Sequence, residues 1–156
     1  MICRKEKFIF IHVPKTGGTS IEKALITPDC ELISNTHGKG FILNHLTLEQ
    51  MADFSFATVE EFHEYFVFGF VRHPYDRTIS GIHYLNFIDG MKGRSFDQQF
   101  DYFMSMENFG NHVIPQVSFF QGHWQAVNFI GRYESLELDF KKILHGIGRD
   151  SHVPDV

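Results

Sequence analysis

The feature that most constrains this chain is an apolar run that halts at a proline and gives way to a glycine pair. Lys7 to Val13 is rich in β-branched and aromatic residues, the composition of a buried strand. Pro14 cannot donate to a sheet ladder, so the strand ends there. Gly17 and Gly18 let the backbone turn sharply and approach a ligand with no Cβ in the way. Thr19 and Ser20 are expected to cap a helix whose apolar positions Ile21, Ala24 and Leu25 recur at helical spacing. Such a strand–loop–helix junction aims backbone N–H groups and a positive helix end at one spot, which suits an anion. Lys15 adds a full charge, and Thr16, Thr19 and Ser20 add hydroxyls. A bare Gly-Gly turn merely connects two elements, but this run of residue types predicts a phosphate cradle.

The junction differs from the nucleotide-binding G-x-x-x-x-G-K-[ST] loop, where the lysine follows the last glycine. Here Lys15 precedes the pair, so its ammonium enters from the other end of the loop.

The net charge of −5 excludes a general affinity for nucleic acid or anionic membrane, so an anion site must be built locally. With 156 residues, 43% of them hydrophobic, the chain reads as a single domain, residues 1–156, with one core. The eighteen phenylalanines supply that core. Cys3 and Cys30 form no C-x-x-C pair, which argues against a metal knuckle and leaves one bridge open. No run is apolar and long enough to span a bilayer and no signal peptide is evident, so the expected location is cytoplasmic.

Downstream, Cys30 to Ser34 reads as a short strand and Asn35 to Gly40 as a loop. Thr47 and Thr58 each open a short helix through a capping box closed by Gln50 and Glu61. Tyr65 to Val71 is the most apolar run and predicts a central strand buried on both faces. Pro74 then starts a helix to about Phe87, with Tyr75, Ile79 and Ile82 expected on its buried face. Asp89 to Arg94 reads as an exposed loop near a site. A helix follows with Phe96, Phe100 and Phe103 on one face, broken at Asn108 to Asn111. Val127 to Gly131 reads as a last parallel strand, and Ser135 caps a final helix ended by Gly146. The whole predicts an α/β fold: a P-loop-like, open, mostly parallel sheet with helices on both faces. Ligands of such sheets bind beyond the carboxyl ends of the strands, where the Lys15 loop and Arg72 both fall.

Two stretches carry a family resemblance. Pro14-Lys15-Thr16-Gly17-Gly18-Thr19-Ser20 resembles the 5′-phosphosulfate loop of the sulfotransferases. Phe70 to Ser80, with Arg72 and Ser80 eight positions apart, resembles their 3′-phosphate-binding segment. The wording of both is similar to the carbohydrate branch related to heparan 2-O- and chondroitin sulfotransferases, and Asn128 to Glu134 resembles that branch's late strand. The likeness runs from about Lys7 to Gly148. It implies 3′-phosphoadenosine 5′-phosphosulfate (PAPS) as donor, PAP as product and no metal. The acceptor would be a hydroxyl or amine on a glycan or small molecule. It also implies elements beyond the last helix, so the chain reads as short or truncated after Ser151 to Asp155.

On this reading Lys15, Thr16, Gly17, Gly18, Thr19, Ser20, Arg72 and Ser80 hold the donor, and Lys15 neutralises the departing 5′-phosphate oxygen. Arg72 offers the paired N–H donors that suit a phosphate, the plainer role being a surface ion pair with Asp76; Arg77 reads as such a pair. Of ten histidines, His45 is the expected base because a histidine in that interval resembles the base of the 2-O-sulfotransferases. Its alternative is a packing role beside the Thr47 helix. His12 reads as structural, His73 as orienting the Arg72 segment, and His37 and Glu49 as weaker bases. Two other functions fit the same loop: an atypical P-loop small-molecule kinase, and a non-catalytic phosphonucleotide-binding module.

Overall fold

The computed structural model describes residues 1–33, 37–38, 41–88, 91, 93–105 and 110–149, with backbone alone at 37–38, 41–43, 86–88 and 110. Two strands at its centre alternate cleanly between two faces. In β2 (Phe8–Ile11), Phe8 and Phe10 point one way and Ile9 and Ile11 the other, and all four are buried. In β6 (Phe66–Val71), Phe68 and Phe70 join the first face and Val67 the second. The period-2 geometry of a strand thus turns two apolar runs into two cores.

On the phenylalanine face lie α1 (Gly18–Leu25), through Ile21 and Leu25, and α7 (Leu136–Gly146), through Phe140, Ile143 and Leu144. The other face is covered by α2 (Leu48–Asp53) and α3 (Val59–Glu64), through Leu48, Met51 and Phe62, together with Phe119 and Phe120. Both short helices carry the expected capping boxes, Thr47 with Gln50 and Thr58 with Glu61. Helices therefore flank the sheet on both sides.

The sheet is mixed rather than mostly parallel. Its order is β3-β1-β2-β6-β7, where β1 is Ile2–Cys3, β3 is Cys30–Glu31 and β7 is Val127–Arg132. Pairings β2–β6 and β6–β7 are parallel, as expected, whereas β1 pairs antiparallel with both β2 and β3. The hairpin from β1 to β2 turns through Lys7, whose φ is +52°, and is too short for any crossover. A separate hairpin joins β4 (His37–Gly38) to β5 (Phe41–Ile42), inside a stretch expected to be partly loop.

After β6, α4 (Pro74–Ile88) opens on its proline. Its buried stripe is Arg77, Gly81, Ile82 and Leu85, while Tyr75 is 79% and Ile79 40% exposed, contrary to expectation. The stripe follows the contact with α5 (Phe96–Ser105), where Phe103 meets Ile82 and Leu85. Phe96 and Phe100 stack on each other at the surface instead of joining Phe103 in the interior. α6 (Gly110–Val113) resumes helix where a break was expected, while the Asp89 to Arg94 loop falls partly, and Ser151 to Asp155 wholly, outside the described residues.

Candidate active site

The loop after β2 is held in an unusual backbone conformation. Lys15 has φ +66° and Gly17 φ +84°, two left-handed residues in three. A side chain at such a φ is strained, so Lys15 is held there by its surroundings. Thr16 is fully buried and donates its hydroxyl to the Val13 carbonyl at 2.9 Å, so this hydroxyl closes the loop and is not offered outward. Gly17, not Thr19 or Ser20, is the N-cap of α1. No side chain caps the helix, because its left-handed Gly17 brings none to the first turn. Thr19 and Ser20 sit exposed in that first turn. Gly18 lies directly on the His12 ring: a Cβ there would stand 2.1 Å from it. The glycine pair is thus fixed by one positive φ and by one close approach.

Arg72, at the carboxyl end of β6, reaches this loop. Its Nη1 donates to the Lys15 carbonyl at 3.4 Å, across 57 residues of sequence. The Gln116 amide clamps the Arg72 backbone from both sides, accepting from its N–H at 2.9 Å and donating to its carbonyl at 2.8 Å. The His73 backbone N–H donates to Glu134 at 2.6 Å, so it is the peptide of His73 that orients the segment. Each cation rests on an aromatic ring. The Lys15 ammonium stands 4.2 Å from the ring centre of Tyr84, and the Arg72 guanidinium 4.2 Å from that of Tyr133. Ser80 and Tyr84 stand four apart on α4 and so share one helix face.

Among the described residues, no carboxylate lies within ion-pair distance of Lys15 or Arg72. Asp76 faces His73 at 4.0 Å rather than Arg72. Burial and the Arg72 charge push the Lys15 pKa down, the signature of two cations sharing a site without a counter-ion.

Arg77 is the main departure from expectation. It is 7% exposed and donates to three backbone carbonyls, those of Pro14 (3.1 Å), Ile114 (3.0 Å) and Asn111 (3.2 Å). Burial lowers its pKa to about 10. It is an internal brace that pins the start of the Lys15 loop to the 111–114 segment, not a surface ion pair.

Behind the cations lies a buried histidine cluster. His45 is 8% exposed, 4.5 Å edge-on from His12 and 5.1 Å edge-on from His112. Its Nδ1–H donates to the His12 carbonyl at 3.0 Å, which leaves the Nε2 lone pair as the free basic position. Asn111 donates to the His45 carbonyl at 2.6 Å. Burial, then the neighbouring His12 and His112, holds the His45 pKa down to about 2. Burial and the charges of Lys15 and Arg77 hold His112 down to about 3. The His112 ring lies parallel to that of Tyr84, 6.3 Å away, so the cluster continues to the lysine. His12 donates from Nδ1 to Glu22 at 3.0 Å and supports Gly18, in keeping with a structural role. Glu49 is exposed on α2, and the side chain of His37 lies outside the described residues.

Tyr84, Tyr133, Gln116, Asn111 and His112 are the parts that sequence reasoning did not assign to the site. Only Tyr133 had a signal, as part of the late-strand resemblance.

Among the described residues no helix is long and apolar enough to cross a membrane. No curated protein and no solved structure matches the chain significantly. The sequence model of a family described as "Sulfotransferase family" does match, over residues 1–155. That span holds the Lys15 loop, Arg72 and the strands that bring them together, and it makes the chain a member of the sulfotransferase family, enzymes that transfer a sulfuryl group.

Proposed function

We propose that this chain moves the sulfuryl group of PAPS to a hydroxyl, or an amine, of a carbohydrate or small alcohol, and releases PAP. The observation that supports this most is the meeting of Lys15 and Arg72 at the carboxyl ends of adjacent parallel strands with no carboxylate, among the described residues, within ion-pair distance of either. A ligand with anionic groups at two places suits two such cations, and PAPS carries one at each end of its ribose. The strand–loop–helix arrangement around Lys15 is P-loop-like in this reading, with the lysine leading the glycines.

Lys15, beside the uncapped start of α1, neutralises charge on the bridging oxygen as it departs. The backbone at Gly17, Gly18, Thr19 and Ser20 offers N–H groups to the 5′-phosphate. Arg72 and Ser80 hold the 3′-phosphate, the arginine through paired N–H donors. His45 takes the acceptor's proton at Nε2, the nitrogen left free by its bond to the His12 carbonyl. Its depressed pKa keeps that nitrogen unprotonated at neutral pH, and anionic charge bound beside it raises its basicity. The wording of the two phosphate motifs supports the carbohydrate branch and hence a glycan acceptor.

The deciding experiment compares melting shifts with PAP against ADP plus Mg²⁺, followed by transfer from PAPS to a panel of glycans and small alcohols. PAP should raise the melting temperature and ADP should not, with at least one acceptor sulfated. An equal shift from ADP with Mg²⁺ would favour a kinase. A PAP shift with no sulfated acceptor would favour a binding module.

A further inference from the structure

Far from the cations, the two cysteines of the chain stand opposite each other. Cys3 in β1 and Cys30 in β3 are register partners in an antiparallel pair, and both are free thiols. Their sulfurs and one Glu6 carboxylate oxygen all lie within 4.8 Å of one another. Directly opposed residues of an antiparallel ladder have Cα atoms about 4.5–5.5 Å apart, inside the roughly 4.4–6.8 Å range of disulfides. Side-chain rotation alone is therefore enough to bring sulfur to sulfur. We infer that Cys3 and Cys30 are a site of reversible disulfide formation, oxidised by exchange with a low-molecular-weight disulfide such as oxidised glutathione.

A metal is the competing use of this cluster, and the surroundings disfavour it. Arg149 holds both oxygens of Glu6, by Nε at 2.5 Å and Nη2 at 2.6 Å, so the third ligand is already spent. The guanidinium also places a positive charge where a cation would sit. A disulfide is neutral and leaves that ion pair intact.

The order of events follows from exposure. Cys30 is half-buried and Cys3 has no exposed surface. Burial and the adjoining Cys30 thiol push the Cys3 pKa up to about 11, so Cys3 is the poorer first nucleophile. The Cys30 thiolate attacks the small disulfide, whose S–S bond breaks; a mixed disulfide forms and one small thiolate leaves and takes up a proton. Cys3 then loses its proton and attacks the Cys30 sulfur, expelling the second small thiol. Two protein thiols are oxidised by two electrons, and one small disulfide is reduced to two thiols. The Leu25 carbonyl loses the Cys30 thiol donor at 3.8 Å but keeps the Arg149 Nη1 donor at 3.0 Å, and Glu6 loses the Cys3 thiol donor at 3.9 Å but keeps Arg149.

The covalent ring encloses residues 4–29, which are β2, the Lys15 loop and α1. Oxidation therefore clasps both ends of the segment that carries the cradle and shrinks the unfolded ensemble of that segment.

The test uses the whole chain equilibrated in reduced and oxidised glutathione. Expected are an intact mass lighter by two hydrogens, a Cys3–Cys30 crosslinked peptide without reductant, and a melting temperature about 5–15 °C higher in the oxidised form. Cys30→Ser, at the half-buried position, should abolish all three and leave melting insensitive to oxidant. Glutathione on both thiols with no crosslink would overturn the assignment. So would tightly held zinc that protects both thiols, or a crosslink that leaves melting unchanged. None of these outcomes bears on PAP binding, so failure here is distinct from failure of the proposed transfer.

Discussion

Arg72 donates from Nη1 to the carbonyl oxygen of Lys15 at 3.4 Å, so one cation of the site helps to hold the backbone that carries the other. Lys15 is the residue with φ +66°, a conformation that a lysine does not keep unaided. The guanidinium supports this turn from one side while Arg77 anchors Pro14 from the other. The Tyr133 ring lies against both Arg72 and Gly17, closing the arrangement. Position and charge are therefore coupled at this site: removing Arg72 removes a cation and also loosens the loop.

That coupling makes Arg72→Lys a severe change. Lysine keeps the charge but loses the planar fork and its stacking on Tyr133. With charged hydrogen bonds worth about 1.5–3 kcal/mol, PAP affinity should fall roughly 10- to 100-fold. Calorimetric titration with PAP measures it, and an affinity within twofold of the parent would count against Arg72 as the phosphate grip.

Lys15→Ala should separate binding from chemistry. If the ammonium acts mainly on charge that develops as the bond to sulfur breaks, kcat should drop about 10²- to 10³-fold while KM for PAPS changes little. Steady-state kinetics with PAPS varied gives both constants. A variant that retains full kcat sinks the leaving-group role.

The Lys15 loop was legible because its logic is local: a strand composition, a proline and two glycines within a dozen residues. The buried strands β2 and β6 were legible for the same reason, since a run buried on both faces leaves no polar positions. Arg77 was not, because in Arg-His-Pro-Tyr-Asp-Arg an arginine beside an aspartate looks like surface, and its three carbonyl partners come from distant turns. The antiparallel edge was missed because Ile2–Cys3 is too short to show a period. Tyr84 reads as one more helical aromatic until the fold lays it under Lys15. Side chains recruited through tertiary contact leave no mark on their neighbours in sequence.

Tyr84 gives a test of that recruitment. Its ring meets the Lys15 ammonium and lies parallel to His112, and the contact with the cation is worth about 0.5–2 kcal/mol. Tyr84→Leu should lower kcat about 2- to 30-fold by loosening the lysine, and Tyr84→Phe, which keeps the ring, should stay near the parent. Equal losses in the two variants would assign the effect to the hydroxyl and not to the ring.

The histidine cluster predicts how stability depends on pH. His45 and His112 are 8% and 5% exposed, with pKa values held down to about 2 and about 3. An unfolded histidine titrates near ~6.5. Between these values the unfolded chain binds protons that the folded chain refuses, so folding is favoured less as pH falls. The stabilisation is complete above about pH 6.5 and is lost on acidification at ~1.4 kcal/mol per pH unit for each histidine, ~2.7 for the pair. The buried Met1 amino group, held down to about 6 by burial, adds a slope of the same sign only above about pH 6. The depressed carboxylates, such as Glu6 and Asp139, lose their stabilisation only nearer their ordinary range, so urea midpoints between about pH 6 and 5 isolate the histidines. His112→Asn should halve the slope. PAP should make it shallower, because anionic charge near the cluster raises both folded pKa values toward the unfolded one. A midpoint that stays flat from about pH 6 to 5 would mean that these rings accept protons in place, and the buried cluster would lose its electrostatic basis.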